Sequence, residues 1–150
     1  MPYLPEHLAA QLRTHRLKAT PQRISIFGYL RASTAHPRAD TVYRDLKPAF
    51  PSLSLATVYK TLESLSQAGL AEVINLGDGH LRFDGNTAPH SHLICRSCGR
   101  VEDLDDSSLA DLTAQVEQRS GYRITGQTLY FYGNCPRCRQ LAGEVMRPDA

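Results

Sequence analysis

Tryptophan is absent from the 150 residues, cysteine occurs only four times, and no apolar run approaches the roughly 18 residues that a membrane helix needs. The start, Met1-Pro2-Tyr3-Leu4-Pro5-Glu6, lacks the basic residues and apolar stretch of an export signal, so a cytoplasmic location with no membrane partner is expected. No H-E-x-x-H, glycine-rich phosphate loop or recognisable Ser/His/Asp spacing is present, which leaves an enzyme reading without support. Hydrophobic residues at 41% and charged residues at 21% are globular values and argue against a disordered chain. A chain of this length can bury a core without disulfide staples, as one ordinary domain or two small ones.

The net charge of +2 conceals an asymmetry. Residues 1–66 carry nine Lys/Arg against four acids, whereas the remainder carries eight against eleven. A basic first half suggests a module that faces a polyanion. The cysteines form two C-x-x-C pairs, Cys95/Cys98 and Cys135/Cys138, with 36 residues between the pairs. With no export signal, a disulfide framework is disfavoured, and two such pairs read as a tetrahedral four-sulfur zinc site. Each pair is expected to span a tight turn. A thioredoxin-like redox pair is the alternative, but it needs only one C-x-x-C and a βαβ unit, which the pattern does not supply.

From Leu8 to Ala68 the periodicity is helical and the segments are short. Thr20 is placed to cap a helix with Pro21 at its first position, and Ile24, Phe27 and Leu30 follow on one face. Ala39–Leu46 is a further helix, with Val42 and Leu46 on its apolar side. Ser54 opens a fourth that Gly69 ends, its apolar stripe being Leu55, Val58, Leu62 and Leu65, with Thr57, Lys60, Thr61 and Ser64 facing elsewhere. Two short runs around Gly77-Asp78-Gly79 predict a β-hairpin. Short helices followed by a hairpin make a winged helix-turn-helix, whose second helix enters the DNA major groove. Candidate DNA contacts are Arg23, Ser54, Thr57, Tyr59 and Lys60: Tyr59 for base and sugar, Lys60 for phosphate or guanine, Thr57 near the positive helix end. A helical protein-interaction module is the competing reading of the same polar face.

Gly85-Asn86-Thr87-Ala88-Pro89 is loop chemistry, which gives a winged-helix DNA-binding domain over 1–84, a hinge over 85–91 and a dimerisation and metal-binding domain over 92–150. In the last, His90–Cys95 and Gln127–Tyr132 are expected strands, and a helix is expected from Asp105-Asp106-Ser107 through Leu109, Leu112 and Val116 to Gly121. Strand, helix, strand and a zinc clip make a small α/β unit with little core, so pairing with a second copy is expected. The fold class is α+β. His90 and His92, two apart on a strand, point their rings to one face and form a ready chelate for a divalent metal. Asp84, Asp103 and His36 are further candidate ligands. Nitrogen and carboxylate donors together favour Fe(II) or Mn(II), although zinc would also bind; two plain surface histidines are the alternative. His7, His15 and His80 have no such company.

Several segments resemble the ferric uptake regulator (Fur) family: Thr20-Pro21-Gln22-Arg23, His36-Pro37, Leu55-Ala56-Thr57-Val58-Tyr59-Lys60-Thr61-Leu62, Arg82-Phe83-Asp84, His90-Ser91-His92-Leu93-Ile94-Cys95-Arg96-Ser97-Cys98-Gly99 and Tyr132-Gly133-Asn134-Cys135-Pro136-Arg137-Cys138. The resemblance implies a homodimeric, metal-dependent repressor of double-stranded operator DNA. It implies one structural Zn(II) per subunit on the four cysteines. It also implies one regulatory Fe(II) or Mn(II) per subunit, bound between the domains by His36, Asp84, His90, His92 and Asp103. Asp103 stands where peroxide-sensing (PerR-type) members have an aspartate and iron sensors commonly a glutamate. Ser91, Ala110 and Gln127 occupy the places of a further metal site found in many iron sensors and cannot bind a metal well. Both details lean towards the peroxide-sensing branch, in which iron-catalysed oxidation of a ligand histidine, here His36 or His90, releases the metal and ends repression. Mn(II) would then be a peroxide-insensitive co-repressor, and no small molecule other than metal ions and peroxide is expected. Mn(II)- or Fe(II)-responsive control of metal uptake, without peroxide sensing, is the alternative.

Overall fold

The structure, a computed structural model, describes residues 4–104 and 110–143, and the chain divides into two compact units, Met1–Thr87 and Ala88–Ala150. The expected helix start at Asp105-Asp106-Ser107, together with Leu109, lies outside the described residues. No helix among the described residues is long and apolar enough to cross a membrane. Helices and two small sheets make the fold α+β.

The first unit comprises α1 (Pro5–Thr14), α2 (Pro21–Ala32), α3 (Ala39–Leu46), α4 (Leu55–Gln67), β1 (Glu72–Asn75) and β2 (Leu81–Asp84). The Thr20 hydroxyl accepts the Arg23 N–H at 3.3 Å and the Ser54 hydroxyl accepts the Thr57 N–H at 3.1 Å, satisfying donors that a helix start leaves open. Gly69 ends the fourth helix with φ +72, a conformation that suits glycine. Leu12, Phe27, Leu30, Val42, Leu53, Val58, Leu62, Leu65 and Phe83 form a continuous core. Positions on α4 and α2 differ from expectation. Leu55 belongs to the first turn of α4 and is 39% exposed, whereas Thr61 is 3% exposed. Val58, Thr61, Leu62 and Leu65 recur at the i, i+3, i+4, i+7 spacing of a buried helix face, so Thr61 completes the stripe that Leu55 overshoots. On α2 the buried face is Ile26, Phe27 and Leu30, with Ile24 only half-buried at its rim.

β1 and β2 pair antiparallel, with Val73 opposite Phe83 and Ile74 opposite Arg82. Their loop turns through Gly77 and Gly79, at φ +76 and +80. A third segment joins this hairpin: Arg38 bridges to Arg82, and the Phe83 N–H donates to the Pro37 carbonyl at 3.0 Å.

The second unit comprises β3 (Ser91–Cys95), β4 (Val101–Leu104), α5 (Ala110–Ser120), β5 (Tyr130–Gly133) and α6 (Pro136–Leu141). Its sheet has the order β4-β3-β5, antiparallel on the β4 side and parallel on the β5 side. The sequence pattern alone predicts neither β4 nor α6. Val101-Glu102-Asp103-Leu104 places two acids between two apolar residues, so it lacks the period-two alternation that marks a strand. The last strand is shorter than the expected Gln127–Tyr132. The parallel β3–β5 pair requires a long crossover, which contains α5. Among the described residues of this unit only Ile94, Cys95 and Val101 are buried hydrophobics.

Candidate functional site

Both C-x-x-C pairs sit at strand ends. Cys95 closes β3, opposite Gly133 of β5, and Cys135 follows two residues later. The first pair turns as expected: the Gly99 N–H donates to the Cys95 carbonyl at 2.9 Å, and the Cys95 N–H to the Arg100 carbonyl at 2.9 Å. The second pair does not form a simple turn. Cys135 is the N-cap of α6, Pro136 occupies the first helical position, and Cys138 lies on the helix, which is what Pro after an extended residue favours. The Ser97 hydroxyl ties the two loops by donating to Asn134 Oδ1 at 2.8 Å.

The four sulfurs all lie within 4.8 Å of one another, and Cys98 Sγ is 3.9 Å from Cys135 Sγ. A tetrahedron with Zn–S bonds of about 2.3 Å has edges of about 3.8 Å, so the cluster has zinc dimensions. The protein prepares the charge as well. The Cys135 N–H donates to Cys95 Sγ at 3.2 Å and, with the Cys98 N–H, brings that thiol down to about 6. Cys138 is pushed up to about 12, first by hydrogen bonding with Cys135 and then by burial. A cation bound among the sulfurs would remove the cost of ionising Cys138 so close to the other thiols.

The histidine and aspartate candidates form two sets, one in each unit. In the first unit His36 and Asp84 are both buried, with His36 Nε2 3.4 Å from Asp84 Oδ2. His36 adopts φ +48 immediately before Pro37, a left-handed conformation that costs of order 1–3 kcal/mol for a residue with a side chain. Such strain is tolerated where function requires a ligand to point one way. Asp84 Oδ1 also accepts the Asn86 N–H at 2.7 Å. In the second unit the β3–β4 register sets His92 opposite Asp103. Asp103 Oδ1 lies 3.2 Å from His90 Nε2 and 3.8 Å from His92 Nε2. The two imidazoles are 4.4 Å apart by centroid, and His92 stacks on Tyr130 at 5.5 Å. His90 Nδ1 is 2.7 Å from the Ala88 carbonyl, a contact that fixes Nδ1 as the donor and leaves Nε2 to face Asp103. Two imidazoles and one carboxylate are a donor set for Fe(II) or Mn(II). Ser91 is buried beside them, and Gln127 Oε1 accepts the Thr113 hydroxyl.

The candidate DNA contacts lie at the starts of α2 and α4. Tyr59 is 50% exposed, and Lys60 and Ser54 are exposed. Thr57 Oγ1 lies 2.8 Å from Ser54 Oγ, so both hydroxyls belong to the cap. Arg23 is half-buried and donates from Nη1 to the Lys18 carbonyl at 3.2 Å. Gln22 Nε2 donates to Ser52 Oγ at 3.1 Å and links the two helix starts. In the sequence Asp78 stands out only as a turn residue between Gly77 and Gly79. In the structure its Oδ2 accepts from Arg82 Nη2 at 2.9 Å and from Arg38 Nη2 at 3.3 Å.

Comparison with known proteins bears on these groups. The chain matches the ferric uptake regulator family over residues 14–132. It is 35% identical over 134 residues to the peroxide-responsive repressor PerR of Staphylococcus aureus, covering 89% of this chain and 90% of that protein. The Campylobacter jejuni peroxide stress regulator is similar at TM-score 0.71 and 30% identity, covering 91% of this chain and 99% of that one. The Vibrio cholerae ferric uptake regulator is similar at TM-score 0.72 and 27% identity, covering 85% and 98%. With the family's matched region containing both His/Asp sets and the first cysteine pair, this chain belongs to the ferric uptake regulator family.

Proposed function

We propose that the protein is a cytoplasmic, metal-dependent repressor that binds double-stranded operator DNA as a homodimer and senses peroxide through iron-catalysed oxidation of a ligand histidine. The observation that carries this reading is the cluster of His90, His92 and Asp103, a set of two imidazoles and a carboxylate suited to Fe(II). Similarity to the peroxide-responsive repressor of Staphylococcus aureus supports it. One Zn(II) per subunit is held by Cys95, Cys98, Cys135 and Cys138. One Fe(II) or Mn(II) per subunit is held by His36, Asp84, His90, His92 and Asp103. The small apolar core of the second unit, beside exposed Phe131 and Leu93, supports association with a second copy.

Fe(II), when bound, supplies the one-electron reduction of peroxide to hydroxide and hydroxyl radical. The radical would add to the ring of His36 or His90, and the adduct would lose one electron to the oxidised iron and one proton to the hydroxide, so that histidine and hydrogen peroxide give oxo-histidine and water overall. The oxidised ring is a poorer nitrogen ligand, so the donor set weakens and repression ends. On DNA, Tyr59 and Lys60 of α4 meet base edges and phosphate, and Arg23, Ser54 and Thr57 meet the backbone.

Peptide mass spectrometry after loading with Fe(II) and adding peroxide tests the reading, with a Mn(II)-loaded sample beside it. One added oxygen on the His36 or His90 peptide with iron, but not with manganese, is expected. Fragmentation separates it from oxidation of Met1 or Met146. Iron bound without histidine oxidation would instead assign reversible Mn(II)- or Fe(II)-responsive control of uptake, the reading that similarity to the Vibrio cholerae regulator favours.

A further inference from the structure

The tip of the β1–β2 wing carries a charge arrangement that neither the metal clusters nor the recognition helix uses. Asp78 Oδ2 accepts from two guanidinium groups, Arg82 Nη2 at 2.9 Å and Arg38 Nη2 at 3.3 Å, while its Oδ1 accepts the His80 N–H at 3.1 Å. The side chain of Arg82 is almost wholly buried, whereas those of Arg38 and Asp78 are little more than one-third exposed. The Arg82 hydrogen bond, with that of the His80 N–H, holds the Asp78 carboxyl below the usual carboxylate range.

These residues belong to a three-segment ladder. Arg38 is both the N-cap of α3 and the bridge partner of Arg82, and the Phe83 N–H donates to the Pro37 carbonyl one position away. His36 and Asp84 lie at the other end of the same two segments, 3.4 Å apart. The wing tip and this ligand pair are therefore opposite ends of one hydrogen-bonded element. Any change in the spacing of residues 36 and 84 is resisted or passed on where Asp78 ties the segments together.

We infer that Asp78 is a positioning residue: it locks Arg38 and Arg82 onto the wing and couples occupancy of the His36–Asp84 ligand pair to the grip of the wing on DNA. The inference rests on the proposed metal-dependent DNA binding and names a determinant of it. In the locked state one carboxylate offsets one of two guanidiniums, so the three side chains together carry a single net positive charge, and Arg38, the more exposed of the two cations, is held in a fixed position. Release of Asp78 frees Arg38 to reach any phosphate, whatever the state of the metal ligands.

The test uses the full chain with its zinc, comparing wild type, Asp78→Asn, Arg38→Gln and the double variant. Affinities for an operator duplex and for an unrelated duplex are measured across a salt series, with and without saturating Mn(II). Asp78→Asn is expected to raise metal-free affinity for the unrelated duplex and steepen its logarithmic salt slope by about one, as one more phosphate contact forms. The ratio of operator affinity with Mn(II) to that without should shrink by about fivefold or more. Both effects should disappear in the Arg38→Gln background, because the freed cation is gone. Unchanged Mn(II) affinity in the absence of DNA and an unchanged melting temperature separate positioning from general loss of structure. A wild type that responds to Mn(II) alongside an Asp78→Asn variant with the same ratio and salt slope overturns this inference alone. A wild type whose duplex affinity ignores metal overturns the functional reading and this inference with it.

Discussion

Gly85 directly follows Asp84, a ligand in the proposed metal site, and its backbone passes closer to a neighbour than any side chain permits. A Cβ built there would meet the Leu30 carbonyl carbon and oxygen at 2.6 Å and the Arg31 nitrogen at 2.8 Å. All three are main-chain atoms of α2, so no rotamer change relieves the clash. The Arg31 guanidinium also donates to the Gly85 carbonyl at 3.0 Å, which anchors the glycine from the other side. Gly85→Ala must therefore displace either the end of β2 or the last turn of α2. Overpacking of this kind costs about 2 kcal/mol. In a unit of this size that lowers the melting temperature by about 10 °C, at roughly 4–8 °C per kcal/mol. Because Asp84 is the preceding residue, Mn(II) affinity should fall in the same variant. Gly126→Ala is the control, since nothing lies within 4 Å of its Cβ position. Thermal unfolding and metal titration of both variants decide the matter. A Gly85→Ala protein that melts with wild type and binds Mn(II) as tightly would refute the close-approach argument.

Other perturbations read different parts of the molecule. Cys138→Ser should release zinc and melt the second unit while the first keeps its own transition, followed by metal analysis and calorimetry, since zinc-binding energy is folding energy for a unit with so small a core. His92→Ala should abolish Mn(II) binding at the regulatory ligands and leave one zinc per subunit, which equilibrium dialysis with elemental analysis measures. Tyr59→Ala should weaken operator binding about tenfold with Mn(II) affinity unchanged off DNA, because half of the side chain is exposed and outside the core. Tyr29 is pushed up to about 12 by burial and by its 2.6 Å hydrogen bond to Asp45. A raised pKa of this kind stabilises the folded state fully below the ordinary tyrosine value of about 10, and that contribution is lost as pH rises from there towards 12. Urea unfolding from pH 9 to 12.5 should show the decline in wild type, and Tyr29→Phe should flatten it.

The legible parts of this fold are those fixed by local chemistry. Thr20 and Ser54 announce helix starts because a hydroxyl before a helix satisfies open N–H groups, and both do so here. The cysteine spacing announces a four-sulfur cluster because each C-x-x-C can supply two adjacent ligands, and the sulfurs converge. What escapes is set by partners distant in sequence. β4 becomes a strand because β3 pairs with it, despite acids at Glu102 and Asp103 that break the alternation. Thr61 is buried because its helical neighbours are, although its hydroxyl reads as surface chemistry. Gly85 reads as hinge composition, and only the approach of Leu30, 55 positions earlier, reveals why no side chain fits there. Asp78 reads as an ordinary turn residue until Arg38, 40 positions away, is seen to share its carboxylate.

The cysteine cluster also orders events while the chain is being made. Its two halves are 36 residues apart, and the strands they close, β3 and β5, pair in parallel, a non-local contact that is slow to form. The helices and wing of the first unit all lie within Met1–Thr87 and can fold as soon as they emerge from the ribosome. The second unit must wait until Cys138 has been synthesised before its sulfurs can all meet. If the proposed Zn(II) is captured at that moment, it closes a long loop and brings the ends of β3 and β5 together before the sheet is complete. A cell short of zinc would therefore accumulate chains with a finished first unit and an unfinished second one.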